Sequence, residues 1–361
     1  MNSHGIDDWS PPANLAELRA ETRSTLSSLL GEHRTVALLD FPNHQNVGDS
    51  MIWRGELEHL HAIGVRVRYQ SDLQRFSREL LLRAVPSGPI LLHGGGNFGD
   101  LWPEFQRFRE RIVRLFPGRP IIQLPQSIEF RDPEAAEAAN RIFGQHGDFH
   151  LLVRDRQSHE RARAMLPDVQ SSFCHDAALG WEPRATAPEG AHERDILILA
   201  RRDHERGTGI THFVQPVPGA DALIADWGLH GIDAILWRLA RSPLGMARAF
   251  PKLASARAYY PALRLSYAAL AALNIRAGVR LFRTRRLIAT DRLHAHVLAL
   301  LLDKPHVVSD NSYGKIAGVM EASTGRLGEF LFVADEADVV TTTAWVRERL
   351  QQEPAPERGG R

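Results

Sequence analysis

Short apolar runs alternate with amphipathic stretches along most of the 361-residue chain. Runs typical of buried strands begin at Thr35, Pro89, Pro120 and Phe149, and apolar residues at helical spacing follow most of them. Strands that alternate with helices along one chain predict βαβ units and therefore a parallel sheet. The fold class predicted from this pattern is α/β.

The alternation is interrupted at residues 183–195, where proline, glycine and charged residues are concentrated. Such a stretch is typical of an interdomain linker, and the chain length favours two domains over one. We therefore predict an N-terminal domain at 15–182 and a C-terminal domain at 196–350. The ends, at 1–14 and 351–361, lack apolar periodicity and are predicted to be flexible.

One strand-to-helix transition carries the strongest chemical signal. A short apolar run ends at Thr290–Asp291, two good helix N-cap residues, and helical spacing continues as far as Pro305. Arg292 and His294 are then expected in the first turn of a helix, where unpaired backbone N–H groups favour anions. Arg292 adds a fixed positive charge, and His294 can give or take a proton near neutral pH. The alternative is an ordinary capped helix with a surface arginine and a structural histidine.

Polar residues also follow the ends of other predicted strands. Asn46 and Asp49 come after the first strand, and three successive glycines, then Asn97 and Asp100, come after the strand that ends at His93. Glycines at such a turn let the backbone approach a ligand closely, and open parallel sheets bind ligands at this edge. The spacing is not that of a GxGxxG nicotinamide site. Each polar residue also fits ordinary loop or cap structure.

Composition narrows the class of protein. A net charge of +1 gives no nucleic-acid footprint, and the single cysteine, Cys174, excludes an internal disulfide framework. The sequence has no CxxC or HExxH motif, so a structural zinc site is not expected. Because the N-terminus lacks the apolar run of a signal peptide and no stretch reaches the ~18 uncharged apolar residues of a membrane span, we predict a cytoplasmic protein.

Charge is distributed unevenly along the chain. The segment 238–286 contains eleven Lys or Arg and no Asp or Glu, whereas the other residues carry a net charge of −10. Apolar and aromatic residues lie between the arginines, so this basic helical segment fits peripheral contact with the inner face of the cell membrane. The alternative is a helical insertion whose apolar residues belong to the core and whose arginines are solvated.

Several motifs occur in a characteristic order, and together they resemble those of the polysaccharide pyruvyl transferase family, in its exopolysaccharide-biosynthesis branch. The motifs are Asn46-Val47-Gly48-Asp49, Gly94-Gly95-Gly96-Asn97-Phe98-Gly99-Asp100, Pro125-Gln126-Ser127, Arg154-Asp155 with Ser158, His175-Asp176, Thr290-Asp291-Arg292-Leu293-His294, and Asp310-Asn311-Ser312-Tyr313-Gly314-Lys315. Each motif is modestly specific, and the ordered set is strongly specific. The resemblance covers about 38–316 and departs from the family between 202 and 286.

The resemblance implies two Rossmann-like domains in the arrangement of GT-B glycosyltransferases, with the active site in a central cleft. It implies phosphoenolpyruvate as the donor and co-substrate, with no cofactor, and a saccharide, free or lipid-linked, as the acceptor. The donor-site residues of the family correspond to Arg154, His294 and Lys315, with Arg292 alongside. By analogy with GT-B donor loops, Arg201 and Arg202 are further donor candidates.

The chemistry of ketal formation suits these residue types. Phosphoenolpyruvate carries close to three negative charges and needs several cations or helix N-termini. Its methylene carbon must be protonated, and we expect His294 to act as general acid/base, a role typically worth ~10²–10⁴ in rate. No step demands a metal, so none is predicted. On the acceptor side, in the first domain, the candidates for binding sugar hydroxyls are Asn46, Asp49, Asn97, Asp100 and His175.

Two other functions fit the same architecture. The first is a GT-B-type glycosyltransferase that uses a nucleotide sugar, although we find no clear ribose-binding carboxylate or base pocket. The second is a catalytically silent sugar- or membrane-binding member of an exopolysaccharide assembly complex. Retention of Arg154, Arg292, His294 and Lys315 together argues against a silent member.

Overall fold

The computed structural model describes residues 10–183, 194–200, 210, 220–310, 314–334 and 338–351. Two compact units account for the chain. Unit 1 comprises 1–182, 229–275 and 318–326, and unit 2 comprises 183–228, 276–317 and 327–361. We predicted a single boundary at 183–195, whereas the chain passes between the two units several times.

Unit 1 is built on a seven-stranded parallel sheet with the order β2-β1-β3-β5-β6-β7, and β4 pairs with β5 beyond the end of β3. The strands are β1 (Thr35–Leu39), β2 (Arg66–Ser71), β3 (Ile90–Leu92), β4 (Gly95–Gly99), β5 (Ile121–Glu129), β6 (Phe149–Val153) and β7 (Gln170–Phe173). Most of their apolar residues are fully buried. Continuous apolar strands of this kind are expected where helices cover both faces of a parallel sheet.

Helices connect these strands and cover the sheet of unit 1. They are α1 (Leu15–Leu30), α2 (Val47–Ala62), α3 (Arg78–Ala84), α4 (Pro103–Leu115), α5 (Pro133–Gly144) and α6 (Arg156–Met165). In one core cluster, apolar residues of α3, α4, α5 and α6 pack against alternate strand residues such as Leu39 and Leu92. The intervening residues, such as Leu38 and Leu91, are equally buried, so the opposite face of the sheet is also covered.

Unit 2 contains a five-stranded parallel sheet with the order β12-β11-β10-β8-β9. The strands are β8 (Arg194–Leu199), β9 (Ala222–Ala225), β10 (Arg285–Thr290), β11 (His306–Ser309) and β12 (Phe330–Val333), and the helices are α11 (Leu293–Leu301), α12 (Lys315–Val319) and α13 (Val339–Gln351). Its core includes Ile196, Ile198, Leu287, Val307 and Val346. The predicted α/β class with parallel sheets is therefore confirmed, and the GT-B arrangement stays a prediction.

The basic segment is helical, as predicted, but most of it packs in unit 1. It forms part of α7 (Gly231–Ala240), then α8 (Ser242–Ala249), α9 (Lys252–Ser255) and α10 (Tyr260–Arg283). The Tyr260 hydroxyl accepts a hydrogen bond from the Gln70 backbone at 2.6 Å, and the amide of Asn274 donates to the His44 carbonyl at 2.9 Å. Tyr267 is fully buried. The apolar residues of α10 therefore belong largely to the core, which agrees with the interpretation of this segment as a helical insertion.

The glycine-rich run after β3 is not simply a loop. Residues Gly95–Gly99 form the short strand β4, which pairs in parallel with β5. Gly95 and Gly99 adopt φ values of 129° and 124°, which side-chain-bearing residues rarely adopt. A Cβ at Gly99 would lie 1.8 Å from the Glu129 carbonyl oxygen, so glycine is required for the strand to approach β5.

No helix in the described ranges has an apolar run long enough and free enough of charge to cross a membrane.

Candidate active site

The strand order of each sheet identifies the edge at which a ligand would bind. The order reverses direction between β1 and β3 in unit 1, and between β8 and β10 in unit 2. Connections from these strand pairs leave in opposite directions, which opens a crevice at the carboxyl ends of the strands. Candidate residues that directly follow these strands in the sequence are therefore expected to lie at one of these two crevices.

In unit 2, a hydroxyl group fixes the turn that follows β10. The side chain of Thr290 donates to the Leu199 carbonyl at 2.8 Å and accepts from the Arg292 backbone at 3.1 Å. Thr290 therefore ties the end of β10 to the end of β8. We predicted Thr290 or Asp291 as the N-cap of the next helix, but the N-cap is Arg292, because Thr290 instead closes the turn that precedes it.

Arg292 and His294 both lie at this edge of the sheet, and both are partly exposed. A guanidinium nitrogen of Arg292 lies 2.5 Å from a carboxylate oxygen of Asp226, which directly follows β9. Asp226 thus orients the arginine from the neighbouring strand end. No sequence motif pointed to Asp226, because its contact with Arg292 depends on the pairing of β8 with both β9 and β10.

The next strand in the sheet brings a lysine to the same edge. Asp310, which follows β11, accepts hydrogen bonds from the backbone of Ile316 at 3.1 Å and of Ala317 at 3.4 Å. These bonds hold the start of α12, whose first residue is the partly buried Lys315. Because β10 and β11 are adjacent and parallel, Lys315 follows the strand next to the one that presents Arg292 and His294. The donor candidates Arg201 and Arg202 lie outside the described residues.

Arg154, the donor candidate of unit 1, is buried at the end of β6. Its Nη1 lies 2.6 Å from Asp176, and its Nε donates to the Ser127 hydroxyl at 3.0 Å. The Ser127 hydroxyl in turn donates to Asp155 at 2.7 Å. These contacts connect the ends of β5, β6 and β7 and give Arg154 a structural role within unit 1. A donor role for Arg154 stays a prediction.

Two acceptor candidates lie together at the switch point of unit 1. The side chain of Asn46 caps α2 by accepting from the Gly48 backbone at 2.8 Å. Asp49, in the first turn of the helix, lies 2.7 Å from Nε2 of His44. Burial lowers the pKa of His44, but the hydrogen bond and charge of Asp49 outweigh it and raise the pKa above its ordinary value. His44 and Asp49 form a partly exposed pair suited to sugar hydroxyls.

The other acceptor candidates are engaged in internal contacts. The side-chain oxygen of Asn97 accepts from Gln126 at 3.0 Å and also from Arg109. The carboxylate of Asp100 accepts from the backbone of Arg131 at 2.8 Å and of Asp132 at 2.7 Å, as in an ordinary cap.

His175 is also buried within unit 1, 2.9 Å from Glu21 and 2.8 Å from the Ser323 hydroxyl. Burial lowers its pKa, despite the opposing effect of Glu21. These contacts favour a structural role for His175. The internal contacts of Asn97 and Asp100 favour the same role for those residues. The acceptor assignments stay predictions.

The sequence did not predict a buried polar cluster at the carboxyl-terminal edge of the unit 1 sheet. Asp40 follows β1 and has a left-handed φ of 73°, and its carboxylate lies 3.4 Å from Arg109, which is fully buried. Burial raises the pKa of Asp40 to about 7, against the lowering effect of Arg109. Nδ1 of His93 lies 2.9 Å from Glu56. Burial lowers the pKa of His93, but Glu56 and Asp40 more than offset this and raise it.

A periodic apolar pattern could not have found this cluster, because its members come from β1, α2, β3 and α4. The weak signal in the sequence was a polar residue at the end of two successive apolar runs, Asp40 and His93. The described residues contain no group of three or more His, Cys, Asp or Glu that could hold a metal ion.

Comparisons with known proteins agree with the family resemblance of the sequence. The family model for polysaccharide pyruvyl transferases matches residues 46–313. The chain is 32% identical to Pyruvyl transferase 1 of Schizosaccharomyces pombe over 299 residues, 78% of this chain and 68% of that protein. It is 29% identical to the putative pyruvyl transferase EpsO of Bacillus subtilis over 308 residues, 81% and 87% of the two chains. A crystal structure of a functionally uncharacterized Klebsiella pneumoniae protein aligns with a TM-score of 0.55 at 17% identity, over 88% of this chain and 99% of that one, which shows a likeness of fold alone.

Proposed function

The chain belongs to the polysaccharide pyruvyl transferase family, and we propose that it transfers pyruvate from phosphoenolpyruvate to a sugar of an exopolysaccharide or its precursor. Membership makes it a transferase. The exopolysaccharide part of the proposal is supported by the similarity to EpsO. The observation that carries the proposal is that the ends of two adjacent strands in unit 2 present Arg292, His294 and Lys315.

The charges at this edge suit an anionic donor. Phosphoenolpyruvate presents a phosphate and a carboxylate, and a guanidinium can bind either with two parallel hydrogen bonds. Asp226 holds the Arg292 side chain in place before the donor binds. Lys315 supplies a second positive charge, and the first turn of α11 supplies backbone N–H groups. Because Asp226 offsets the charge of Arg292, the net positive charge at this edge comes from Lys315 and the backbone N–H groups, while Arg292 contributes oriented hydrogen-bond donors.

The reaction then needs one proton delivered and two removed. The methylene carbon of phosphoenolpyruvate gains a proton, and a sugar hydroxyl adds to the adjacent carbon and loses its own proton. A second hydroxyl of the same sugar attacks that carbon and loses its proton, and the bond to phosphate oxygen breaks. The products are the cyclic pyruvate ketal and inorganic phosphate. We assign protonation of the methylene carbon to His294, a partly exposed imidazole within the donor edge.

The acceptor is assigned to the switch point of unit 1. Among the described residues of the candidate loops, His44 and Asp49 form the only partly exposed ion pair at this point of the sheet. Asn46 lies beside them. A carboxylate accepts hydrogen bonds from sugar hydroxyls and an imidazole N–H donates to them, so the pair can engage two vicinal or 1,3-related hydroxyls. The lipid-linked or free nature of the acceptor and a cytoplasmic location are parts of the same proposal.

A direct test follows the label from donor to product. Phosphoenolpyruvate labelled with ¹³C at its central carbon is incubated with the protein and the saccharide pool of its source organism. We expect a new ketal carbon resonance and the release of one phosphate per ketal. The variant His294→Gln should lose ketal formation while still binding phosphoenolpyruvate. Release of a nucleoside diphosphate from nucleotide sugars, with no ketal, would instead support the glycosyltransferase alternative.

A further inference from the structure

A cluster of arginines, none of which belongs to a motif of the family, lines a cavity in unit 1. The cavity has a volume of about 300 Å³ and lies between α7 and α8. Its charged lining consists of Arg75, Arg238, Arg241 and Arg248, and the indole of Trp237 forms an aromatic wall. We refer to it as the arginine groove. A second cavity, of about 510 Å³, shares Arg75 and Arg248 with it.

The arginine groove has an excess of positive charge. Arg75 is buried and paired with Asp72 at 2.6 Å, so it contributes little net charge. Arg241 stacks on Trp237, with 5.1 Å from its guanidinium carbon to the ring centroid, and donates to the neutral side chain of Asn43 at 3.1 Å. In the described part of the chain, neither Arg238 nor Arg248 forms an ion pair.

The aromatic wall also carries a buried hydrogen-bond donor, the indole N–H of Trp237. Trp237 is only 7% exposed, and its indole N–H has no hydrogen-bond partner among the described residues. A buried donor without a partner costs free energy unless a ligand or water satisfies it. Asp233, one turn earlier in α7, is fully buried, and the exposed residues of 238–286 include no carboxylate. The arginines of the groove therefore suit an anion.

An exposed apolar surface lies on the same two helices. On α7, Ile232, Ile235 and Leu239 recur at helical spacing and are 63%, 53% and 64% exposed. On α8 and just after it, Met246 and Phe250 are 49% and 58% exposed. We refer to these five residues as the apolar face. Large apolar side chains grouped in this way in a soluble unit mark an interaction surface.

We propose that the arginine groove binds the phosphate group of an anionic membrane lipid while the apolar face enters the lipid layer. Exposed apolar residues beside arginines on adjacent helices are the features by which amphipathic helices lie in a membrane interface. A protein partner would also bury the apolar face, but the absence of acidic residues across 238–286 favours an anionic lipid surface. None of the groove or face residues is a donor or acceptor candidate, and Arg241 contacts Asn43 beside His44, so this surface would hold the enzyme at the membrane with the acceptor loop close by.

The test measures co-sedimentation of the full chain with vesicles. One set contains phosphatidylcholine alone, and the other contains equal parts of phosphatidylcholine and phosphatidylglycerol. We expect binding to the anionic vesicles alone, weakened by salt. The variants Arg238→Gln and Arg248→Gln should each weaken binding about fivefold, since a basic residue near such a surface contributes roughly 1 kcal/mol. Phe250→Asp should abolish most of the remainder.

Matched controls separate the site from nonspecific charge. Arg107→Gln removes an exposed arginine of α4, and Val340→Asp places a charge on another exposed apolar residue, which is 80% exposed. Neither control should change vesicle binding. Equal binding of wild type and the arginine variants, or equal binding to both vesicle types, would overturn the proposal. So would stabilisation by inorganic phosphate that is lost in Arg238→Gln, with no vesicle binding, because the groove would then serve a soluble anion. The proposed transfer of pyruvate is measured separately, with a soluble acceptor, so none of these outcomes bears on it.

Discussion

Replacing Asp40 by asparagine tests whether burial or the charge of Arg109 dominates in the cluster beneath the acceptor edge. Asp40 is fully buried, and one of its oxygens has no hydrogen-bond partner among the described residues. Its left-handed backbone is tolerated by asparagine, which has nearly the same shape. Asp40→Asn therefore removes the ionisable group and preserves the packing.

The magnitude follows from the pKa of this carboxyl. Burial raises it from 3.8 to about 7 in the folded protein, against the attraction of Arg109 at 3.4 Å. Each tenfold change in proton affinity is worth about 1.4 kcal/mol, so the folded state should lose on the order of 4 kcal/mol when the group ionises. The folded pKa lies above the unfolded pKa. This contribution to stability is therefore complete below about pH 4 and is lost as the pH rises to about 7.

The assay is urea unfolding of wild type and Asp40→Asn at several pH values from about 4 to about 8. The free energy of unfolding of the variant should rise relative to wild type as the pH increases. Subtracting the two curves removes the opposite trend expected from buried histidines such as His59, whose pKa burial lowers to about 3. Asp303→Asn, an exposed site that is also left-handed, controls for the backbone. A relative loss of stability in Asp40→Asn above about pH 5 would refute the reasoning, because the ion pair with Arg109 would then outweigh burial.

Two further substitutions test packing and the role of a predicted donor residue. Gly55→Ala in α2 should destabilise the protein by roughly 1–3 kcal/mol in urea unfolding, because the new Cβ would lie 1.8 Å from the Ala177 carbonyl oxygen. The matched change Gly245→Ala, in open space on α8, should instead be neutral or stabilising, and equal effects at both sites would contradict the packing. Arg154→Met should cost about 3–5 kcal/mol by leaving Asp176 buried without its cation, and adding Asp176→Asn should recover part of that loss in thermal unfolding. An Arg154→Met protein of normal stability that fails to bind phosphoenolpyruvate would instead support the donor role.

The parts of the fold that depend on local pattern could be predicted. The strand before Thr290 and the helix after Arg292 are local features, because apolar spacing and the start of a helix are set by neighbours in sequence. The sequence predicted a turn where β4 lies, since pairing of Gly95–Gly99 with β5 depends on glycine conformations that carry no apolar pattern.

Nonlocal packing explains the other differences. The docking of α10 into unit 1 depends on Tyr260 and Tyr267, whose hydroxyls accept hydrogen bonds from the backbone at the end of β2 and just after it, 190 and 195 residues away. Their apolar spacing predicted a helix but not the surface that it covers. For the same reason, the family motifs identified Arg292 and His294 but could not indicate Asp226, nor the contacts that Arg154 makes with Ser127 and Asp176.

The central claim is that the strand ends of unit 2 bind phosphoenolpyruvate, and its binding can be measured before the acceptor is known. Thermal unfolding of the full chain is followed with phosphoenolpyruvate at ~100 times its dissociation constant, which should stabilise the fold by about 2.7 kcal/mol. Arg292→Gln should abolish this shift, and Arg347→Gln, an exposed arginine of α13, should leave it unchanged. A shift with a nucleotide sugar and none with phosphoenolpyruvate would contradict the account.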